Sequence, residues 1–191
     1  MSIRDFSQNL QILYKEMEGT FAGYQASTGL NCLAGCGRCC LNPDIEASVL
    51  EMMPFALKIY DDGKMDEWLL KLQNVTQDTC LIFNPGISEG QGQCGSYETR
   101  PSICRMFGVS GYFDKHHQAT LSVCKFIKEA TPDLVDQTEK KTNLENTPML
   151  LYWSSRLGDL DPQLIQERMP INRAIHSALE KVALYASYQP L

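Results

Sequence analysis

The sequence lacks the features of a membrane or nucleic-acid protein. No stretch of its 191 residues approaches the roughly 18 apolar residues in a row that a membrane span needs. Basic residues are in the minority, 17 against 23 acidic, for a net charge of -6. No basic run overrides that average, which excludes a general affinity for nucleic acid or anionic membrane. Charges at Arg4, Asp5, Lys15, Glu16 and Glu18 break any apolar stretch at the start, so no signal peptide is expected. There is no glycine-rich phosphate loop, no serine elbow, no internal repeat and no low-complexity segment. Asp61-Asp62 and Asp159-x-Asp161 lack the alternating oxygens of a calcium loop. The expectation is a soluble, cytoplasmic protein with no nucleic-acid and no membrane partner.

Against these absences stand eight cysteines. In a cytoplasmic chain disulfides are disfavoured, because the thiol pool is kept reduced. Cysteine content is below the roughly 8–10% of a small disulfide scaffold, and 43% hydrophobic residues suffice for a core without covalent staples. Locally clustered thiols in such a chain point to metal.

Helical periodicity frames the cysteines. Phe6, Leu10, Leu13, Met17 and Phe21 predict an amphipathic helix over 3–24, ended by the Gly, Ser and Thr residues of 23–31. Asn42-Pro43-Asp44 predicts the start of a helix over 44–60, with Pro54 kinking or splitting it. A second short helix follows from Met65 to Asn74. The segment from Thr76 to Gly111 has six Gly and two Pro and reads as irregular. Residues 109–123 read as a hairpin turning at 114–118. Helix returns in the last third, over 149–157 and after Pro170, with Ile171, Ala174, Ile175, Ala178, Leu179, Val182 and Tyr185 on one face. The expected fold is mainly α: a small helical domain around an irregular, cysteine-rich metal-binding core with a short hairpin. Residues 1–130 form the metal-binding domain with its N-terminal helix, and 131–191 a helical extension packed on it.

Cys32-x₃-Cys36-x₂-Cys39-Cys40 places four thiols in nine residues. Two to four intervening residues aim two thiolates at one ion, and Gly35 and Gly37 allow the positive φ of such a turn. Adjacent Cys39 and Cys40 project in different directions, which suits two metals or two corners of one cluster. Cys80, Cys94, Cys104 and Cys124 complete a set of eight metal-ligand candidates, enough for two tetrahedral sites or for a cuboidal cluster plus a second site. Thiolate charge calls for cations, and Arg38, Arg100, Arg105 and Lys125 each lie within four residues of a cysteine. Arg38, Arg100 and Arg105 are the candidate cofactor-binding residues, with Arg100 and Arg105 expected to face the cluster and lower the thiol pKa values. His116 and His117 read as solvated turn residues, and His176 as a helix-surface residue.

Cys32…Cys36…Cys39-Cys40, Cys80-Leu-Ile-Phe, Cys94-Gly-Ser-Tyr97-Glu-Thr-Arg100-Pro101-Ser-Ile-Cys104-Arg105 and the late Cys124 together resemble the YkgJ-type cysteine-cluster family, a zinc- or iron-chelating domain. The resemblance covers about 30–125. It departs at Leu81, where the family often has Pro, and in a longer insertion before Cys94. It implies chelation of Zn²⁺ or a [4Fe-4S] cluster and does not imply a reaction. Flagellin lysine methylases are similar over the cysteine block, but they are much longer. The spacing of Cys32, Cys36 and Cys39 is also that of radical S-adenosylmethionine enzymes, yet the 152 residues after Cys39 show few of the strands such a barrel needs.

Two readings of function follow. In the first, a non-enzymatic protein coordinates zinc or an iron–sulfur cluster through all eight thiolates. In the second, it is an iron–sulfur redox or protein-modifying enzyme component with one cluster edge exposed, acting beside a protein partner.

Overall fold

The computed structural model describes residues 2–75 and 79–188. Helix α1 (Ile3–Thr28) opens with a capping box: Asp5 N donates to Ser2 Oγ at 3.0 Å and Ser2 N to Asp5 Oδ2 at 3.1 Å, satisfying two donors that the first turn leaves unpaired. The helix passes the expected end at 24 because Tyr24 is buried in turn, and it closes at Gly29 with φ 74.

The segment expected to be helical over 44–60 is split. Strand β1 (Glu46–Ser48) and a 3₁₀ turn at Leu50–Met52 come first, and helix α2 (Met53–Asp61) follows. Pro54 lies in the first turn of α2, where its missing N–H costs nothing, so it starts the helix instead of kinking it. Helix α3 (Met65–Gln73) lays Trp68 edge-on to Phe55, ring centroids 4.9 Å apart.

The middle is irregular but not featureless. Strands β2 (Phe83–Pro85) and β3 (Gly92–Cys94) pair antiparallel, Phe83 opposite Cys94. After the single-turn helix α4 (Ser102–Met106) come β4 (Val109–Phe113) and β5 (Ala119–Val123), the expected hairpin. Asp114 Oδ1 closes its turn by accepting from the backbone N–H of His116 and Gln118.

Helices α5 (Lys125–Ala130), α6 (Pro132–Glu139), α7 (Leu150–Leu160) and α8 (Gln163–Gln166) lead to strand β6 (Arg168–Pro170) and helix α9 (Ile171–Tyr188). Strand β6 pairs antiparallel with β1, Ala47 opposite Met169. The pairing carries α9 onto α2. Six of the seven expected face residues of α9 are buried, from Ile171 to Val182; Tyr185 is exposed.

One apolar core draws on both ends of the chain. Leu10, Tyr14 and Met17 of α1 meet Phe55 and Ile59 of α2, Trp153 and Leu157 of α7, and Ile175 and Leu179 of α9. Cys80, Cys94 and Cys104 lie half-buried along its edge. A smaller cluster of Tyr24, Leu30, Val109, Leu121, Ile127 and Val135 packs beside Cys124. Among the described residues no helix is long and apolar enough to cross a membrane.

Candidate metal centre

The site is assembled by backbone contacts between three stretches that the sequence keeps apart. Residues 35–37 dock on the β2–β3 hairpin: Gly37 N donates to Gly90 O at 3.0 Å, Gly92 N to Gly35 O at 2.9 Å, and Cys36 bridges Gln91. The Phe83 ring lies between Gly37 and Gly92, and a Cβ on either glycine would collide with it. Gly35 has the positive φ expected of it, 68°, whereas Gly37 has φ -107°. Gly37 is needed for the close approach of the ring. Cys80 N donates to Cys40 O at 3.4 Å and Cys124 N to Gly108 O at 2.7 Å, tying the later cysteines to the first cluster and to the hairpin.

All eight cysteines are free thiols, Cys32 and Cys39 exposed and the other six half-buried. Their charges act on one another. Cys32 feels Cys39, Cys124 and Cys36; Cys40 feels Cys39, Cys104 and Cys80; Cys104 feels Cys80, Cys39 and Cys94. Cys39 is the common neighbour. Burial pushes Cys80 up to about 11 and raises Cys32, Cys94 and Cys104. Cys39 goes the other way, to about 6, because the Cys40 thiol donates a hydrogen bond to its sulfur, with help from the Cys40 and Cys39 backbone N–H groups and the Arg100 charge. Cys40 moves upward instead, because of the adjacent Cys39 sulfur and its own burial.

Backbone donors aim at sulfur elsewhere too. The Cys94 sulfur accepts from Ser96 N at 3.4 Å, and the backbone N–H groups of Ile82 and Phe83 oppose the rise at Cys80. Such bonds favour the anionic sulfur that metal binding requires.

The three arginines differ in role. Arg100 opposes the rise of the thiol pKa at Cys32, Cys94 and Cys104 and supports the fall at Cys39. Its guanidinium lies 4.6 Å from the Tyr97 ring centroid and pairs with Glu18 at 3.5 Å, while among the described residues its Nε is buried without an acceptor. Arg105 is itself buried. It pairs with Glu18 of α1, donates to the carbonyls of Arg100 and Glu98, and lies over the Tyr14 ring; its charge acts weakly on Cys94. Arg38 lies across Gly90, its guanidinium 4.4 Å from the Phe126 ring centroid. His116 and His117 are exposed in the hairpin turn, and His176 is half-exposed beside Glu180.

Among the described residues, no three His, Cys, Asp or Glu side chains close on one point as they stand. The donor set nonetheless fits a thiolate-bound metal in chemistry. Thiols from 32–40, 80–104 and 124 are near enough for their charges to act on one another, the Ser96 N–H faces the Cys94 sulfur, and among the described residues the Arg100 Nε has no acceptor. A metal would draw sulfurs inward that are now neutral or hydrogen-bonded to one another, so binding would be coupled to proton release and local ordering.

Residues 31–125 match the family model CxxCxxCC, described as "Putative zinc- or iron-chelating domain". This segment belongs to the CxxCxxCC family. The match runs from the residue before Cys32 to the residue after Cys124, and so takes in every cysteine of the chain. No curated protein and no solved structure matches the chain.

Sequence reasoning missed two contributors. Glu51 is fully buried behind the site; it accepts from Ser48 N at 2.9 Å and from both the backbone N–H and the hydroxyl of Ser102, and it faces Arg168 at 3.4 Å. It thereby caps α4 two residues before Cys104. Asn172 brackets Cys80 from the other side. Neither carries a sequence signal beyond an ordinary acidic residue in a turn and an Asn at a helix start.

Proposed function

We propose that the protein is a non-enzymatic, cytoplasmic metal-binding protein that holds zinc or an iron–sulfur cluster through its eight cysteine thiolates. The carrying observation is the neighbourhood of eight free thiols drawn from 32–40, 80–104 and 124. The charge interactions among the thiols support dividing the ligands between the two members of the adjacent pair, with Cys39 at the boundary because it acts on both sets. Cys32, Cys36, Cys39 and Cys124 form one group, and Cys40, Cys80, Cys94 and Cys104 the other. That division crosses the sequence clusters, and it lets Cys39 and Cys40 serve separate centres. Arg100 offsets the excess negative charge through its unpaired N–H, Arg105 ties the 97–100 turn to α1, and Arg38 covers Gly90 at the rim. Residues 131–191 act as a helical extension of the metal-binding domain 1–130.

A second reading, an iron–sulfur component of a redox or protein-modifying enzyme, is favoured by one feature: Cys32 and Cys39 reach solvent. A cluster edge there would be open to a protein partner.

Metal analysis of protein purified without oxygen tests both. Two zinc ions per chain and a colourless solution support two closed tetrathiolate sites. A brown protein that bleaches in air, with about four iron per chain, supports the cluster. Metal-free protein with paired S–S bonds in such material would overturn chelation altogether.

A further inference from the structure

The C-terminal helix lies outside the matched domain, yet it touches the cysteine centre at one place. Asn172 stands in the first turn of α9. Its Oδ1 accepts from Leu81 N at 2.9 Å, and its Nδ2 donates to Thr79 O at 2.8 Å. The two bonds enclose Cys80 from both sides across more than ninety residues of sequence. Only a carboxamide offers donor and acceptor in one plane at this size: Asp would keep the acceptor alone, and Leu neither.

The bracket is itself anchored. Ile171 is buried in the main core, and its N–H donates to Ile45 O at 2.9 Å, continuing the β1–β6 pairing. Four residues before Asn172, Arg168 faces the buried Glu51 that caps the start of α4. The short stretch 168–172 therefore braces the segments bearing both Cys80 and Cys104.

We infer that Asn172 is a positioning residue for the metal centre: it fixes the backbone around Cys80, so the C-terminal extension sets how tightly that centre holds metal. The inference rests on reading Cys80 as a ligand. Side chains outside the ligand set that hold a ligand in place contribute about 10- to 100-fold to metal affinity. The bracket acts on the peptide groups flanking the sulfur and leaves the sulfur free to bind.

The test uses the full chain, reduced, stripped of metal and titrated anaerobically with Zn²⁺ against a competing chelator. Four proteins are compared: wild type, Cys80→Ser, Asn172→Asp and Asn172→Leu, the last a second variant of similar bulk. Cys80→Ser identifies the zinc equivalent to which Cys80 contributes. Asn172→Asp is expected to weaken that same equivalent about 10- to 100-fold, to leave the other unchanged and to speed amide exchange at Leu81, with helical circular dichroism unaltered. Unchanged zinc affinity in both Asn172 variants, while Cys80→Ser loses an equivalent, would overturn the positioning role alone. Equal weakening of all zinc binding together with loss of helix would also overturn it, since a purely structural residue behaves so. Full zinc binding by Cys80→Ser would instead remove the ligand reading on which the inference stands.

Discussion

The helical frame and the cysteine-bearing stretches are held by different forces. In the frame, α1, α2, α7 and α9 bury long apolar side chains against one another, and Leu10, Met17, Ile175 and Leu179 are fully enclosed. In the stretches 31–41 and 79–104 the enclosed groups are few. Short backbone bridges, glycines against the Phe83 ring, and side chains that reach across to backbone do the holding. A frame of the first kind is stable without a ligand. A region of the second kind, which carries seven of the eight thiols, is expected to gain stability when positive charge is present among them.

The sharpest way to break this contrast is to damage the frame alone. Leu10→Ala removes a fully buried side chain from the main core and is expected to cost about 3 kcal/mol in chemical denaturation, leaving metal stoichiometry intact. If metal is lost in parallel with stability, the two regions are not separable.

Glu51→Gln attacks the joint between them. Breaking a buried ion pair costs about 3 kcal/mol. Arg168 is partly exposed, and glutamine keeps an acceptor for Ser102, so the expected loss is smaller, about 1–2 kcal/mol. Metal affinity is expected to fall as well, because the start of α4 carries Cys104. A stability loss with unchanged metal affinity would place Glu51 wholly within the frame.

Gly37→Ala acts in the cysteine region only. The new methyl meets the Phe83 ring, so the docking of 35–37 on the β2–β3 hairpin is expected to loosen. Metal affinity should drop several-fold, with helical content unchanged by circular dichroism. A chemical probe gives the smallest and most local signal. In reduced, metal-free protein Cys39 should be the first thiol that iodoacetamide alkylates, with a midpoint near pH 6, because its folded pKa lies below the ordinary thiol value. The sign follows: the fold's preference for the Cys39 thiolate contributes fully to stability only above the ordinary thiol value of 9.0, and that contribution declines as pH falls from there and is lost through about 6. Removing the donor in Cys40→Ala should move the midpoint upward.

The frame was the legible part. Apolar residues three and four apart mark α1 and α9 directly, since the same spacing that reveals the helix also makes its buried face. The β4–β5 hairpin was legible from its alternation and polar turn. Strands β1 and β6 were not: each has three residues, and each is fixed by a partner more than a hundred residues away. Pro54 was half legible: the segment is split, as one of its two alternatives had it, but a proline inside a helix and one at its first turn look alike until the preceding strand is seen.

In the centre, the clustering of thiols and the charge of Arg100 were readable from spacing. The main contacts of Arg105 were not readable, although it directly follows Cys104; of the expected pull on the thiols, a weak one on Cys94 is present. Successive residues of a helix point about 100° apart, so α4 sends Cys104 toward the other thiols and Arg105 back to Glu18 of α1. The spatial neighbours of the adjacent pair were equally hidden. Cys104 and Cys80 act on Cys40, and Cys124 acts on Cys32, because the chain brings together cysteines that the sequence keeps far apart.

Amide hydrogen exchange on matched metal-loaded and metal-stripped protein tests most directly whether the metal holds the cysteine region while the core holds the frame. On stripping, exchange is expected to accelerate throughout 31–41 and 79–104, while α1, α2 and α9 keep their protection. Unchanged exchange in the cysteine region, or an equal rise in the frame helices, would contradict the account.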